Sequence, residues 1–117
     1  VSFADNPPAS GPAGHVHASL RDWAKFIRLH LNGSEGNLQL SSHSVAMLHT
    51  PVEGYAGGWL SDTATLSHDG TNNLWYARAV VYFADQFGVV IVTNVGGDPA
   101  GKAMGAMEAK LRDYYLN

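Results

Sequence analysis

Residues 75–95 read WYARAVVYFADQFGVVIVTNV and contain the clearest strand signals of the sequence. Two runs rich in Val, Ile, Tyr and Phe, at 75–84 and 87–95, flank the pair Asp85-Gln86. This arrangement predicts two long strands that are joined by a tight turn and pair antiparallel. Residues 89–92 are apolar at every position, so both faces of the second strand must be covered. The rest of the chain has to supply those covers.

Helical patterns precede and follow this hairpin. A first helix is expected after Ser19, which can cap it, and Asn32-Gly33 is expected to end it. A shorter helix over 42–49 should stop before Pro51, because the residue before a proline avoids helical geometry. A last helix over 98–116 is expected, with Asp98 as its cap and Pro99 in its first turn. The first and last helices each carry an apolar stripe at helical spacing: Leu20, Trp23, Ala24, Ile27 and Leu31 in the first, and Ala103, Met104, Met107, Leu111 and Tyr114 in the last.

The order of elements predicts an α+β fold with an antiparallel sheet. We expect a single unit over 1–117: an irregular lead-in at 1–14 and two helices within 1–51, strands over 52–96, and a C-terminal helix over 98–116 packed on the sheet. The sheet should have about three strands, with a short one at 64–68 ahead of the two long ones. Gly54, Gly57 and Gly58 around Tyr55 and Trp59 suggest a further short strand after a turn.

The hairpin also suggests that the chain is incomplete. The last helix can cover one face of strand 87–95, while the other face and the exposed apolar edge call for something more. We therefore expect the chain to be the C-terminal portion of a larger catalytic domain, whose missing N-terminal half would provide that cover.

Composition excludes several classes of protein. The chain of 117 residues is 45% hydrophobic and 15% charged, which is typical of a globular domain rather than a disordered one. Its seven Lys and Arg residues are scattered and its net charge is −3, which argues against nucleic-acid binding. The absence of Cys excludes disulfides, thiolate metal sites and a cysteine nucleophile. No apolar run is long enough to span a bilayer. None of this decides the cellular location.

The polar segment 67–73, SHDGTNN, is the most informative candidate site. It follows the short strand at 64–68, and Gly70 would permit a sharp turn there. A strand mouth of this kind can offer backbone N–H groups to an oxyanion, although the segment by itself also fits a polar hairpin loop. Ser67, His68 and Asp69 do not form a contiguous catalytic triad, because successive side chains on a strand point to opposite faces.

In its wider context the segment resembles the serine β-lactamase-related superfamily, which includes class C β-lactamases, DD-peptidases and β-lactamase-fold esterases. The resemblance rests on His68-Asp69-Gly70 followed by two strands that end in Gly88-Val-Val-Ile-Val-Thr-Asn94. It extends upstream through the small-Gly pair Ala13-Gly14, the stretch 19–33 with its terminal Leu-Asn-Gly, the helix ending in Thr50-Pro51, and the Tyr55–Trp59 strand. It therefore covers nearly the whole chain in the family's order.

The resemblance implies roles for individual residues. His68 would occupy the position of the family's Lys or His that orients substrate and tunes proton transfer, and the backbone N–H of Thr71 would be the second oxyanion donor. Gly70 would let substrate lie along the strand, with Asp69, Asn72 and Asn73 lining its path. The residue between His and Gly is usually Thr or Gly in this family, so Asp69 leaves the substrate preference open.

The same resemblance shows what this chain lacks. The family's Ser-x-x-Lys nucleophile motif is absent from the sequence, and Tyr115-Leu116-Asn117 matches its Tyr-x-Asn motif only in letters, because it follows rather than precedes His68. The resemblance implies that the whole enzyme is a bacterial hydrolase, periplasmic or secreted, with a cytoplasmic location still open. It would transfer an acyl group from an ester, β-lactam or peptidoglycan-like peptide without a cofactor. The chain alone is expected to be inactive.

Two other interpretations stay open. Six histidines, including His15-x-His17, suggest a metal site, although no acidic residue accompanies that pair at a recognised spacing. A non-catalytic module could instead bind a partner, or a second copy, through the strand at 87–95. Four aromatic residues near the candidate site could form a ligand-stacking surface, but aromatic residues in strands favour a core role: Tyr55, Trp59, Trp75 and Tyr76.

Overall fold

A computed structural model describes residues 6–32, 40–62, 64–72 and 74–117 as an α+β fold. A 3-10 turn at Pro8–Ser10 leads into four α-helices and five strands within the described part. The helices are α1 (Gly11–Gly14), α2 (Leu20–Asn32), α3 (Ser42–His49) and α4 (Asp98–Leu116). The strands are β1 (Tyr55–Ala56), β2 (Trp59–Ser61), β3 (Thr65–Thr71), β4 (Tyr76–Tyr82) and β5 (Phe87–Thr93).

The strands form one antiparallel meander in the order β1-β2-β3-β4-β5. The predicted antiparallel pairing is confirmed, because β4 and β5 pair from Tyr82↔Phe87 to Tyr76↔Thr93. The expected two-residue turn at Asp85-Gln86 is wrong, because the turn between the strands takes in four residues, 83–86. Gln86 closes that turn at φ 47, an uncommon conformation for a residue with a side chain. The expected number of about three strands is wrong, because β1 and β2 add a narrow hairpin that runs through three glycines at positive φ.

The predicted helix boundaries are largely confirmed. The Ser19 hydroxyl accepts a hydrogen bond from the Asp22 backbone N–H at 3.1 Å and thus caps α2. Ser41 does the same for α3 by accepting from the Ser44 N–H, also at 3.1 Å. For α4, the expected cap at Asp98 is wrong. Gly97 is the N-cap at φ 81, where glycine is favoured, and Asp98 lies in the first turn.

The sheet is covered by helices on both faces, because alternate strand residues point to opposite sides. On one face, α2 packs its buried Ile27 against Leu66, Ala79 and Val81. A Cβ atom at Gly88 would lie only 2.5 Å from Ile27 Cγ2, so the glycine allows this close approach. On the opposite face, α4 buries Ala100 and Met104. The second cover expected from a missing half of the protein is therefore supplied by α2, within this chain.

Two further expectations need correction. The lead-in at 1–14 is not wholly irregular, since the 3-10 turn and α1 occupy residues 8–14. The strand expected at 64–68 continues to Thr71, because Gly70 pairs with Ala77 and Thr71 with Tyr76. Gly70 therefore lies inside β3 rather than at a turn.

Candidate functional site

The candidate site occupies the C-terminal half of β3, from His68 to Thr71, and continues into the turn before β4. The short strand β2 pairs with β3 at Leu66 and Ser67, so β3 runs on past those pairs. The residues from His68 to Thr71 are all exposed. This part of β3 is thus held in place by β4 on one side and extends beyond the paired residues of β2 on the other.

The direction of the backbone groups follows from the β3–β4 ladder. Hydrogen bonds from Asn72 N–H to Trp75 O (3.4 Å) and from Phe83 N–H to Ala64 O (3.2 Å) mark the two ends of the ladder. Because hydrogen-bonded and non-hydrogen-bonded pairs alternate in an antiparallel ladder, the backbone groups of Asp69 and Thr71 point away from β4. The Thr71 N–H, predicted as an oxyanion donor, therefore points to the edge of β3 opposite β4. This is the edge along which β2 pairs with the first part of β3.

His68 and Asp69 lie on opposite faces of the sheet, as expected for neighbours in a strand. His68 shares its face with Leu66, on the α2 side, and its Nε2 atom lies 3.4 Å from the Tyr55 hydroxyl. The two rings meet edge to face, with centroids 6.3 Å apart. The observed side-chain directions agree with the absence of a contiguous triad.

Asp69 is bound into a charged network under α4. Its Oδ2 atom accepts hydrogen bonds from the Tyr76 hydroxyl at 2.7 Å and from Arg78 Nη1 at 3.2 Å. Arg78 Nε lies 2.6 Å from Glu108 Oε2, and the Tyr82 hydroxyl donates to Glu108 Oε1. The hydrogen bond to Asp69 is the main cause that raises the pKa of Tyr76, while burial, followed by the bond to Glu108, raises the pKa of Tyr82 to about 12. The Asp69 carboxylate is thus fixed by the sheet and linked through Arg78 to α4.

The remaining predicted site residues shape the end of the strand. A Cβ atom added to Gly70 would meet no atom within 4 Å, so the space beside it is open. The Thr71 hydroxyl donates to Trp75 O at 2.8 Å. The Asn72 side-chain oxygen accepts from the N–H groups of Leu74 (3.3 Å) and Trp75 (3.0 Å), and this side chain therefore shapes the turn. Asn73 lies outside the described residues.

Tyr55, for which the sequence favoured a core role, lies beside the candidate site and contacts His68. It is 47% exposed, and its hydroxyl reaches His68 only because β1 and β2 fold back beside β3. No local sequence pattern predicts the contact between Tyr55 and His68, because it depends on the pairing of three strands. The preference for a core role is correct for Trp59, which is 5% exposed, and wrong for Tyr55 and for Trp75, which is 52% exposed.

The histidines do not assemble a recognisable metal centre. Within residues 6–32, 40–62, 64–72 and 74–117, no group of three or more His, Asp or Glu side chains is placed to hold a metal ion. His15 Nε2 lies 2.6 Å from Asn6 O, and His17 Nδ1 lies 2.9 Å from His15 O, so both rings take part in local contacts. Among the described helices, none combines the length and apolar character that a membrane span requires.

In comparisons with known proteins, no protein-family model, curated protein or solved structure matches the chain.

Proposed function

We propose that this chain is the C-terminal portion of a serine hydrolase that acts by acyl transfer on an ester, β-lactam or peptide carbonyl. The observation that carries the proposal is the exposed half of β3. His68 lies at one end of this segment, and Thr71, whose backbone N–H points away from β4, lies at the other end. Such a strand can hold an extended substrate through its backbone, while a side chain beside it handles the proton.

Within this proposal, each residue has a physical role. The Thr71 N–H donates to the oxygen that becomes negative when the carbonyl is attacked, and a preorganised donor of this kind is worth about 3–4 kcal/mol of transition-state stabilisation. His68 lies where it can exchange a proton with the substrate, with its ring oriented by Tyr55. The nucleophile and the general base come from a separate N-terminal part, so the chain alone carries out no acyl transfer.

Support for this arrangement comes from the contacts of this strand segment. The Asp69 side chain, between His68 and Gly70, accepts hydrogen bonds from Tyr76 and Arg78, and the backbone of β3 is paired with β4 as far as Thr71. Gly70 leaves open space on the face that His68 shares. A substrate lying along β3 would therefore meet a fixed backbone and little steric hindrance.

Replacing Gly70 with valine is the sharpest test. The added side chain projects into open space, and valine favours a strand more than glycine does, so the folded state should keep its stability or gain up to about 1 kcal/mol. Ligand contact along β3 should be lost. The measurement is the shift of backbone amide NMR signals of the 15N-labelled chain on addition of a penicillin, a short-chain ester or a D-alanyl-D-alanine peptide.

The proposal expects shifts confined to residues 68–72 and their neighbours for one of these ligands, and their disappearance in Gly70→Val. Shifts elsewhere, or no shifts up to the solubility limit of every ligand, would contradict it. A serine-reactive fluorophosphonate probe provides a second check: covalent labelling of the isolated chain would mean that it carries its own nucleophile.

A second candidate function is partner binding through the edge strand β5. This strand pairs with β4 and ends the sheet, as the last strand in the order. Val92, near its end, is 48% exposed. The edge strand of a sheet can add a strand from another chain, either the proposed N-terminal part or a second copy.

Sedimentation of the purified chain over a range of concentrations tests this candidate. If β5 pairs with a second copy, the chain should form a dimer, and Val92→Lys should return it to a monomer, because a charge on an edge strand opposes pairing. Leu60→Lys, at a residue 58% exposed on β2, is the matched control and should leave the dimer intact. A wild-type chain that stays monomeric at high concentration would rule out self-association.

A further inference from the structure

Two histidines face each other between α2 and α3. His30 Nδ1 lies 2.8 Å from His49 Nε2, a hydrogen bond between two imidazole rings. His30 is buried, with 5% of its surface exposed, while His49 is half-buried. Among the described residues, no hydrogen-bond partner reaches His30 Nε2, which is itself buried.

The surroundings of the pair are aromatic. Phe26 and Trp59 meet His30 edge-on, with ring centroids 4.8 Å and 5.0 Å away, and Phe83 lies 5.2 Å from His49. Within the described part of the chain, neither imidazole forms an ion pair. The other titratable groups of these elements are exposed or paired elsewhere: Arg21, Asp22, Lys25 and Arg28 on α2, His43 on α3, Asp62 after β2 and Asp85 in the β4–β5 turn.

The two facing ring nitrogens can share one N–H proton when both rings are neutral, and protonation of either ring disturbs this contact. The neutral arrangement that fits is donation from His30 Nδ1–H to His49 Nε2, because His30 Nε2 then needs no acceptor. If His30 gains a proton, a charged N–H is buried without an acceptor. If His49 gains one, either two N–H groups oppose each other or His30 changes tautomer and again buries an unsatisfied N–H. Protonation of either ring therefore destabilises the arrangement in which the two rings are in contact.

The helix α3 lies at the surface. None of its residues is buried, so the contact between His30 and His49 is one of its ties to the rest of the fold. The backbone of Leu48 also touches the β1–β2 hairpin, since a Cβ atom at Gly57 would lie 2.5 Å from Leu48 O. Thus α3 and the hairpin form one flank, and His30 with Trp59 joins that flank to α2.

We propose that the His30–His49 pair is an acid-sensitive latch, whose protonation at mildly acidic pH releases α3 and the β1–β2 hairpin from α2 while the β3–β5 hairpins stay folded. The inference does not depend on the proposed hydrolase function. Its consequence for that site is direct, because the released hairpin carries Tyr55, which contacts His68.

The pKa values have the direction that this latch requires. Burial, followed by repulsion from His49, lowers the pKa of His30 from 6.5 to about 4, and burial also lowers the pKa of His49. The closed state thus prefers neutral rings. Its stabilisation is complete above the ordinary histidine pKa of about 6.5 and is lost as the pH falls from there toward 4.

Hydrogen exchange of the whole chain, followed by mass spectrometry at pH 7 and pH 4.5, tests the latch. After correction for intrinsic exchange rates, we expect amides in residues 42–62 to exchange about 10- to 100-fold faster at the lower pH, because a pKa lowered by burial translates into this range of opening equilibria. Amides in β4 and β5 should keep their protection. Loss of protection in every element together would contradict a local latch.

The variant His30→Gln with His49→Gln replaces the pair by two amides that can hydrogen-bond but cannot titrate. Its flank should no longer respond to pH, whereas His43→Gln, at an exposed position of α3, should respond as the wild type does. A double variant that opens at the same pH would overturn the proposal. If the double variant does not fold, NMR titration of the wild-type rings decides: a His30 ring that titrates near pH 6.5 with unchanged exchange in 42–62 also overturns it.

Discussion

Replacement of Leu66 by alanine is expected to lower the free energy of unfolding by about 2–5 kcal/mol. Leu66 is fully buried in β3, at the centre of the cluster formed with Ile27, Trp59, Ala79 and Val81. Truncation removes apolar contacts and leaves a cavity, because strands paired on both sides cannot move in to fill it. Urea denaturation followed by circular dichroism measures the loss.

The matched control is Leu60→Ala in the neighbouring strand β2. Leu60 is 58% exposed, so the same chemical change there should cost no more than about 0.5–1 kcal/mol. Equal losses for the two variants would mean that the face between α2 and the sheet is not the main core. Although Leu66 lies only two residues from His68 in β3, its side chain belongs to the core cluster, so the Leu66 variant should weaken the candidate site through global stability.

The second large effect is expected for Arg78→Met, which should lower the free energy of unfolding by about 2–3 kcal/mol near neutral pH. Arg78 lies between Asp69 and Glu108, and the side chains of Arg78 and Glu108 are 24% and 13% exposed. Removing the guanidinium leaves the Glu108 carboxylate with little water and without its cation, which is costly for a buried pair. The estimate is below the range of about 3–5 kcal/mol for fully buried pairs because partial exposure screens the charge.

Arg112→Met is the control for this pair. Arg112 forms an ion pair with Asp85 at 2.6 Å, but the two side chains are 47% and 29% exposed, and such pairs contribute about 0–1 kcal/mol. Thermal or urea unfolding of both variants provides the comparison. Restoration of stability in Arg78→Met with Glu108→Leu would support the charge argument, since two apolar side chains can replace a buried pair. A loss for Arg78→Met no larger than that for Arg112→Met would contradict it.

Arg78 matters beyond stability because it connects α4 with the candidate site. Through Asp69 it holds the middle of the exposed β3 segment, between His68 and Gly70. We therefore expect Arg78→Met to broaden the amide NMR signals of residues 68–72, whereas Leu66→Ala should affect all strands alike. Comparison of the two variants therefore distinguishes residues that order the candidate site from residues that stabilise the core.

Local sequence patterns were enough to predict the pairing of β4 with β5, the start of α2 and the bounds of α3. Each of these follows from local chemistry: two β-rich runs around a turn, a serine that caps a helix, and a proline that ends one. The sequence also placed His68 and Asp69 on opposite faces, because alternation along a strand is a local property.

The contacts between distant parts of the chain could not be predicted from the sequence and became known from the fold. The cover of the second sheet face by α2, the extension of β3 through Gly70, and the contact of Tyr55 with His68 all depend on pairing between distant segments. The same holds for His30 and His49, which lie 19 residues apart and share one hydrogen bond. Helical and strand periodicity states which face is apolar, but the partner of that face is chosen by packing, which no single segment encodes.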